Sequence, residues 1–286
     1  VHPTDHATVR LRDGRSIAYS VFGDPNGRPL LNCHGGLVCR LDIASAHDAA
    51  LANGIRVVSP DRPGVGGSDR RPGRTMLDWA DDVRELTDTI GIDRFATIGW
   101  SMGGQYALGL AYSLADRIDA TIVVAGCPPL DDPTNFAALS RLDQRLSKLA
   151  GRHPARARVT FGAMRAMARW APKRFTETSA RDLGAVDGEV ARRPAIAYAP
   201  MVAEALRQPH GAVDEYRVFT DPWGFDPSTI TAPVHVWWGT DDRLVARPLV
   251  DSLVASLPTC RLTVVPDAGH FVAVDRWADV LAPVAA

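Results

Sequence analysis

Apolar runs that end in glycine-rich turns and pass straight into helix-spaced segments recur along this 286-residue chain. That alternation limits its architecture more than composition does. Leu30-Leu31-Asn32-Cys33 runs into His34-Gly35-Gly36, Arg56-Val57-Val58-Ser59 into Pro60, and Phe95-Ala96-Thr97-Ile98 into Gly99. Between the second and third, Met76, Trp79, Ala80, Val83, Leu86 and Ile90 recur at steps of three and four, with Thr75 placed as N-cap and Gly91 as terminator. Ile118 to Ala125, Val234 to Trp238 and Leu262 to Val265 read as further buried strands. The pattern predicts an α/β fold, a mostly parallel sheet covered by helices on both faces. Ahead of it, Thr8 to Leu11 and Ser16 to Phe22 flank the turn Arg12-Asp13-Gly14, which predicts an antiparallel start.

Residues 128–228 break the rhythm. After Pro128-Pro129, Phe136, Leu139, Leu142, Leu146 and Leu149 share one helical face, and Val159, Met164, Met167 and Trp170 suggest a second helix. Further helical pieces are punctuated by Pro172, Pro194, Pro200 and Pro209, and no comparable strand signal appears. Because the strand pattern resumes at Val234, 128–228 is expected to be a helical cap inserted before the last two strands, with 1–127 and 229–286 forming one core. For any one of Met164, Met167 and Trp170, core packing is favoured over a place on a pocket wall.

A formal charge of −1 with 46% hydrophobic residues excludes a disordered chain and a bulk-basic nucleic-acid binder. Cys33, Cys39, Cys127 and Cys260 form no C-x-x-C pair, so neither a disulfide framework nor a metal site is indicated. Val1-His2-Pro3-Thr4-Asp5 lacks the basic and apolar regions of a leader, and the stretch Phe95 to Gly126 is too often interrupted by polar residues to span a membrane. A cytoplasmic location is expected, and oligomeric state is not readable.

Gly99-Trp100-Ser101-Met102-Gly103-Gly104 lies after a strand and before a helical run, the G-x-S-x-G context in which a nucleophile sits on a cramped turn flanked by glycines. Such a turn would expose Ser101 Oγ and leave the Met102 amide at a helix N-terminus, aimed at developing negative charge. Serine needs a base. Of eight histidines, His270 follows the last strand in Asp267-Ala268-Gly269-His270-Phe271, and the chain order serine, acid, histidine selects it. The acid that would orient the imidazole comes from Gly239-Thr240-Asp241-Asp242, where either carboxylate could instead be a turn residue.

These residues resemble the α/β-hydrolase superfamily, in its serine-nucleophile branch. The resemblance rests on His34-Gly35-Gly36, Asp61-Arg62-Pro63-Gly64-Val65-Gly66-Gly67-Ser68, Gly99 to Gly103, Gly239-x-x-Asp242-x-x-Val245 and Gly269-His270, covering 8–127 and 230–284. It implies Asp242 as the acid over Asp241, and the Gly36 amide, with Leu37 as fallback, as partner of Met102 in the oxyanion hole. It also implies that the Asp61–Ser68 loop shapes the sheet edge and does not cradle phosphate. An aspartate in place of Ser101 would point to epoxide or halide substrates. Aminopeptidases and carbon–carbon hydrolases of the superfamily usually carry a proline soon after the His-Gly pair, where this chain has Leu37-Val38.

The expected activity is therefore hydrolysis of a small carboxylic ester or related acyl compound, without metal or organic cofactor. Carbon–carbon hydrolysis, a slow-turnover ligand receptor and a cofactor-free oxygenase or perhydrolase are the rivals. Charge adds one feature: residues 141–220 hold 15 basic and 8 acidic side chains, a net of +7, which leaves −8 elsewhere. A solvated helical face accounts for this, as would a basic lid that steers an anionic substrate or rests on an anionic surface.

Overall fold

The computed structural model describes residues 6–285. Val1–Asp5, with His2 and the segment expected to lack a leader, and Ala286 lie outside the described residues. Strands β1 (Ala7–Arg10), β2 (Ser16–Gly23), β3 (Arg28–Cys33), β4 (Ile55–Pro60), β5 (Phe95–Trp100), β6 (Ile118–Val124), β7 (Val234–Gly239) and β8 (Cys260–Val265) form one sheet in the order β1-β2-β4-β3-β5-β6-β7-β8. The pairings β1–β2 and β2–β4 are antiparallel. All others are parallel.

Successive side chains of a strand point to opposite faces, and here they sort into two cores. Leu31, Val58 and Val123 pack with α2 (Asp78–Thr89), α3 (Gly103–Ser113) and α11 (Arg247–Ala255). Their neighbours Leu30, Val57 and Ile122 pack with α1 (His47–Ala52) and α12 (Trp277–Ala285). Covering on both faces is why β5 is buried at every residue. α2 begins at Asp78 instead of directly after Thr75. Thr75 still contributes: its amide donates to Asp78 Oδ2 at 2.6 Å and its hydroxyl accepts from the Asp78 amide at 3.4 Å, the reciprocal pattern of a capping box.

Between β6 and β7 run α4 (Pro133–Ala138), α5 (Arg141–Arg152), α6 (Pro154–Trp170), α7 (Pro172–Leu183), α8 (Ala185–Arg192), α9 (Tyr198–Ala205) and α10 (Pro209–Val218). Of the prolines read as punctuation, Pro172 and Pro209 begin α7 and α10, Pro194 begins a short 3-10 turn, and Pro200 lies in the first turn of α9, where a missing N–H costs nothing. The single face expected from Phe136 to Leu149 is split. Leu139 is extended, and Ser140 starts α5 by accepting from the Asp143 amide at 3.1 Å. Leu142 is then 44% exposed. On α6, Val159 and Trp170 are exposed, at 68% and 77%.

Candidate active site

The glycines around Ser101 are there for lack of room. A Cβ on Gly99 would stand 2.2 Å from the Gly103 carbonyl oxygen, and one on Gly103 only 1.9 Å from that of Cys33. Both obstacles are backbone, so neither can yield. Ser101 takes φ +54°, with its amide donating to Val124 O at 2.7 Å and its carbonyl accepting from Gly104 N at 2.8 Å. A non-glycine residue in that region stores roughly 1–3 kcal/mol of strain, held by the strand before it and the helix after it.

Of the two adjacent carboxylates, Asp242 meets His270. Its Oδ2 lies 2.9 Å from His270 Nδ1, while its Oδ1 accepts from the amides of Leu244 and Val245 at 2.8 and 2.9 Å. Asp241 is exposed, and its amide donates to Ala268 O. Both side chains of the Asp242–His270 pair are nearly closed to solvent. Burial works against a charged imidazole, but the Asp242 charge and hydrogen bond, with Asp187 and Asp143 nearby, outweigh it and raise the His270 pKa above its usual value. Nδ1 is taken by Asp242, so Nε2 is the nitrogen left for a substrate or nucleophile.

Ser101, His270, Gly36, Leu37 and Met102 line one cavity of about 650 Å³. Among the described residues no hydrogen bond joins Ser101 Oγ to the imidazole; such contacts commonly tighten only when substrate is bound. Cap residues complete the wall, among them Leu139, Met164, Met167, Phe175 and Tyr198. Thus Met164 and Met167 reach the cavity and Trp170 does not, a division that spacing alone could not make. Arg141, Arg145 and Arg243 also line it; all three are exposed and, among the described residues, without an acidic partner.

The turn after β3 is held from several sides. Gly35 N donates to Asp42 Oδ2 at 2.9 Å. His34 is fully buried, donates from Nδ1 to Gly35 O at 2.9 Å and accepts at Nε2 from the Arg62 amide at 3.1 Å. Burial and the neighbouring Arg62 guanidinium push its pKa down to about 3, so it stays neutral. The Asp61–Ser68 loop is a scaffold, since Asp61 accepts from the amides of Arg40 and Gly67 and from the Arg40 guanidinium.

Three cap carboxylates in this region were missed in the sequence. Asp187 on α8 accepts from the His270 amide at 2.8 Å and the Phe271 amide at 2.9 Å. Asp143 on α5 also lines the cavity, and its carboxylate accepts from Ser140 Oγ and Tyr216 Oη. Burial raises the pKa of both. Glu215 on α10 binds Arg62 and Arg74. Glu215 carried the one usable signal, a charge flanked by Ala212, Val213, Tyr216 and Val218 on a helix with little polar surface.

No group of three His, Cys, Asp or Glu residues among those described could hold a metal ion, and no described helix is long and apolar enough to cross a membrane.

Sequence comparison finds a non-heme chloroperoxidase of Streptomyces lividans 32% identical over 125 residues, 43% of this chain and 45% of that protein. A pimeloyl-[acyl-carrier protein] methyl ester esterase of Aromatoleum aromaticum is 29% identical over 235 residues, 79% of this chain and 84% of the relative. Among solved structures, a hydrolase from Pseudomonas aeruginosa PA01 superposes over the whole of both chains with a TM-score of 0.75 at 20% identity, a likeness of fold. The alpha/beta hydrolase family model matches residues 33–284, from the last residue of β3 into α12. With the elbow at Ser101 between β5 and α3 and the sheet order around it, that match places the chain in the α/β-hydrolase family.

Proposed function

We propose that the chain is a serine hydrolase that cleaves a carboxylic ester through an acyl-enzyme, with Ser101, His270 and Asp242 as its triad. The observation that carries this reading is the buried Asp242–His270 hydrogen bond on the same cavity as a serine at φ +54°. Ser101 Oγ attacks the carbonyl carbon while His270 Nε2 takes its proton, and the imidazolium then protonates the departing alkoxide. Asp242 keeps the proton on Nδ1 and stabilises the cation. Water, deprotonated by His270, attacks the acyl-enzyme and returns Ser101. The amides of Gly36 and Met102 bind the oxyanion, each contributing about 3 kcal/mol to the transition state.

Residues 128–228 act as the lid in this reading. Its apolar inner wall suits an acyl body, and Arg141, Arg145 and Arg243 at the rim suit a substrate with a negatively charged end. The esterase relative supports ester chemistry; its substrate is its own.

A panel of p-nitrophenyl esters of graded chain length, neutral and anionic, tests the proposal on wild type and Ser101→Ala. Turnover should fall at least about thousandfold in the variant. Full activity in Ser101→Ala, or failure of a fluorophosphonate to label Ser101, sinks it.

A further inference from the structure

The Gly35 carbonyl and the Gly36 N–H are the two ends of one planar trans peptide, so whatever fixes the oxygen also fixes the direction of the amide. Two donors hold that oxygen: His34 Nδ1 at 2.9 Å and Arg62 Nη2 at 3.1 Å. Arg62 Nη1 also donates to the His34 carbonyl, so the guanidinium grips two consecutive peptides of this turn. It is completely buried, and a guanidinium is rigid; its own placement depends on its carboxylate.

That carboxylate comes from the cap. Glu215 Oε2 accepts from Arg62 Nε at 2.8 Å and Nη2 at 2.5 Å. Its Oε1 accepts from Arg74 and, at 3.3 Å, from Tyr106 Oη on α3, the helix that follows Ser101. The Arg62 guanidinium lies 4.4 Å above the Tyr106 ring. Burial alone would keep Glu215 protonated, but Arg62 and Arg74 bring its pKa down to about 2, so it is an anion at any working pH.

We infer that Glu215 is a positioning residue for the oxyanion-binding peptide: through Arg62 it holds the Gly35–Gly36 plane so that the Gly36 amide faces the carbonyl attacked by Ser101. This rests on the proposed serine hydrolase reading. A buried ion cluster is a poor source of net stability, and apolar replacements of equal shape often do as well. What this one supplies is direction, a forked cation locked at one end by a carboxylate oxygen that accepts from both Nε and Nη2 and at the other by two carbonyls. It also joins the insertion to the reaction centre, because α10 lies in the insertion while His34 and Arg62 lie in the loops after β3 and β4 and Tyr106 lies on α3.

The test is Glu215→Gln in the full chain, with active sites counted by complete fluorophosphonate labelling so that unfolded protein does not enter the rate. Per labelled site, kcat should fall about tenfold or more while KM stays within about threefold. A trifluoromethyl ketone, which forms an oxyanion on Ser101, should lose affinity by a similar factor, and the matching methyl ketone should not. Asp214→Asn is the control. It cuts the neighbouring contact of α10 with Arg70, touches none of these carbonyls, and should keep kcat per site within about twofold.

If Glu215→Gln does not fold, Glu215→Asp carries the test, since it retains the charge but draws Arg62 back by one methylene. Wild-type kcat per site in the folded Glu215 variant, or an equal loss in Asp214→Asn, overturns the inference and leaves the hydrolase reading standing. A wild type that neither labels nor turns over esters overturns both.

Discussion

The sheet edge and the cap each set one buried carboxylate against the His270 loop, and the two have different work to do. Asp242, after β7, binds the imidazole at Nδ1. Asp187, on α8, binds the amides of His270 and Phe271 and reaches the ring only through its charge. One partner titrates; the other two do not. The same division holds across the site, where the sheet loops supply Ser101, Asp242 and His270, and the cap supplies Asp187 and Glu215, which grip the backbone or the side chains behind it. On the proposed reading, the difference assigns the helical insertion placement as well as enclosure.

The largest expected effect separates charge from placement at His270. Asp242→Asn should lower kcat by about 10³–10⁴-fold, because an amide favours the wrong imidazole tautomer and cannot stabilise its cation. Wild-type kcat/KM should rise with pH through an apparent pKa above 6.5, the ordinary histidine value, since only neutral His270 can accept the proton. In Asp242→Asn, whatever activity remains should show that limb at lower pH. An unmoved limb would mean that another group is being titrated. The sign for stability follows: with the folded pKa raised, the pair's contribution is fully present below about pH 6.5 and lost as pH rises through the folded value, which urea melts across that window will read.

Asp187→Ala should come next. It strands two buried amides, costing about 1–3 kcal/mol in a denaturant titration, and should lower kcat about tenfold through misplacement of the ring. Restored stability without restored kcat in Asp187→Asn would show that charge matters there too, narrowing the contrast with Asp242. The smallest effect concerns the rim. Replacing Arg141, Arg145 and Arg243 together by Gln should raise KM for an anionic ester a few-fold at low salt and leave its neutral counterpart unchanged. Equal salt dependence for the two esters removes the steering role.

The turns that carry Ser101, Asp242 and His270 were legible as turns because each is a short contiguous stretch whose own backbone demands particular residues. Gly99 and Gly103 are required by oxygen atoms 2.2 and 1.9 Å from any Cβ placed there. The strands were legible to within one or two residues, since burial on both faces leaves short continuous apolar runs. The cap was legible as helices and little else. Leucines continued their spacing through Leu139-Ser140, where an extended Leu139 ends one helix and Ser140 caps the next. Trp170 kept the spacing of Met164 and Met167 yet stands in solvent.

Asp187 looked like one more charge on a solvated surface, and the apolar neighbours of Glu215 pointed to burial without naming a partner. Their partners are 83 residues away at His270 and 153 away at Arg62, and no local pattern reports contacts at that distance. By itself the sequence determined the sheet, the turn at Ser101 and the candidates for reaction, because those properties follow from steric limits and periodicity within a few residues. Only the tertiary structure decided which of two adjacent aspartates meets His270, which cap residues reach the cavity, and which carboxylates hold the reacting loops. Those outcomes depend on burial, and burial is settled by packing between segments far apart in the chain.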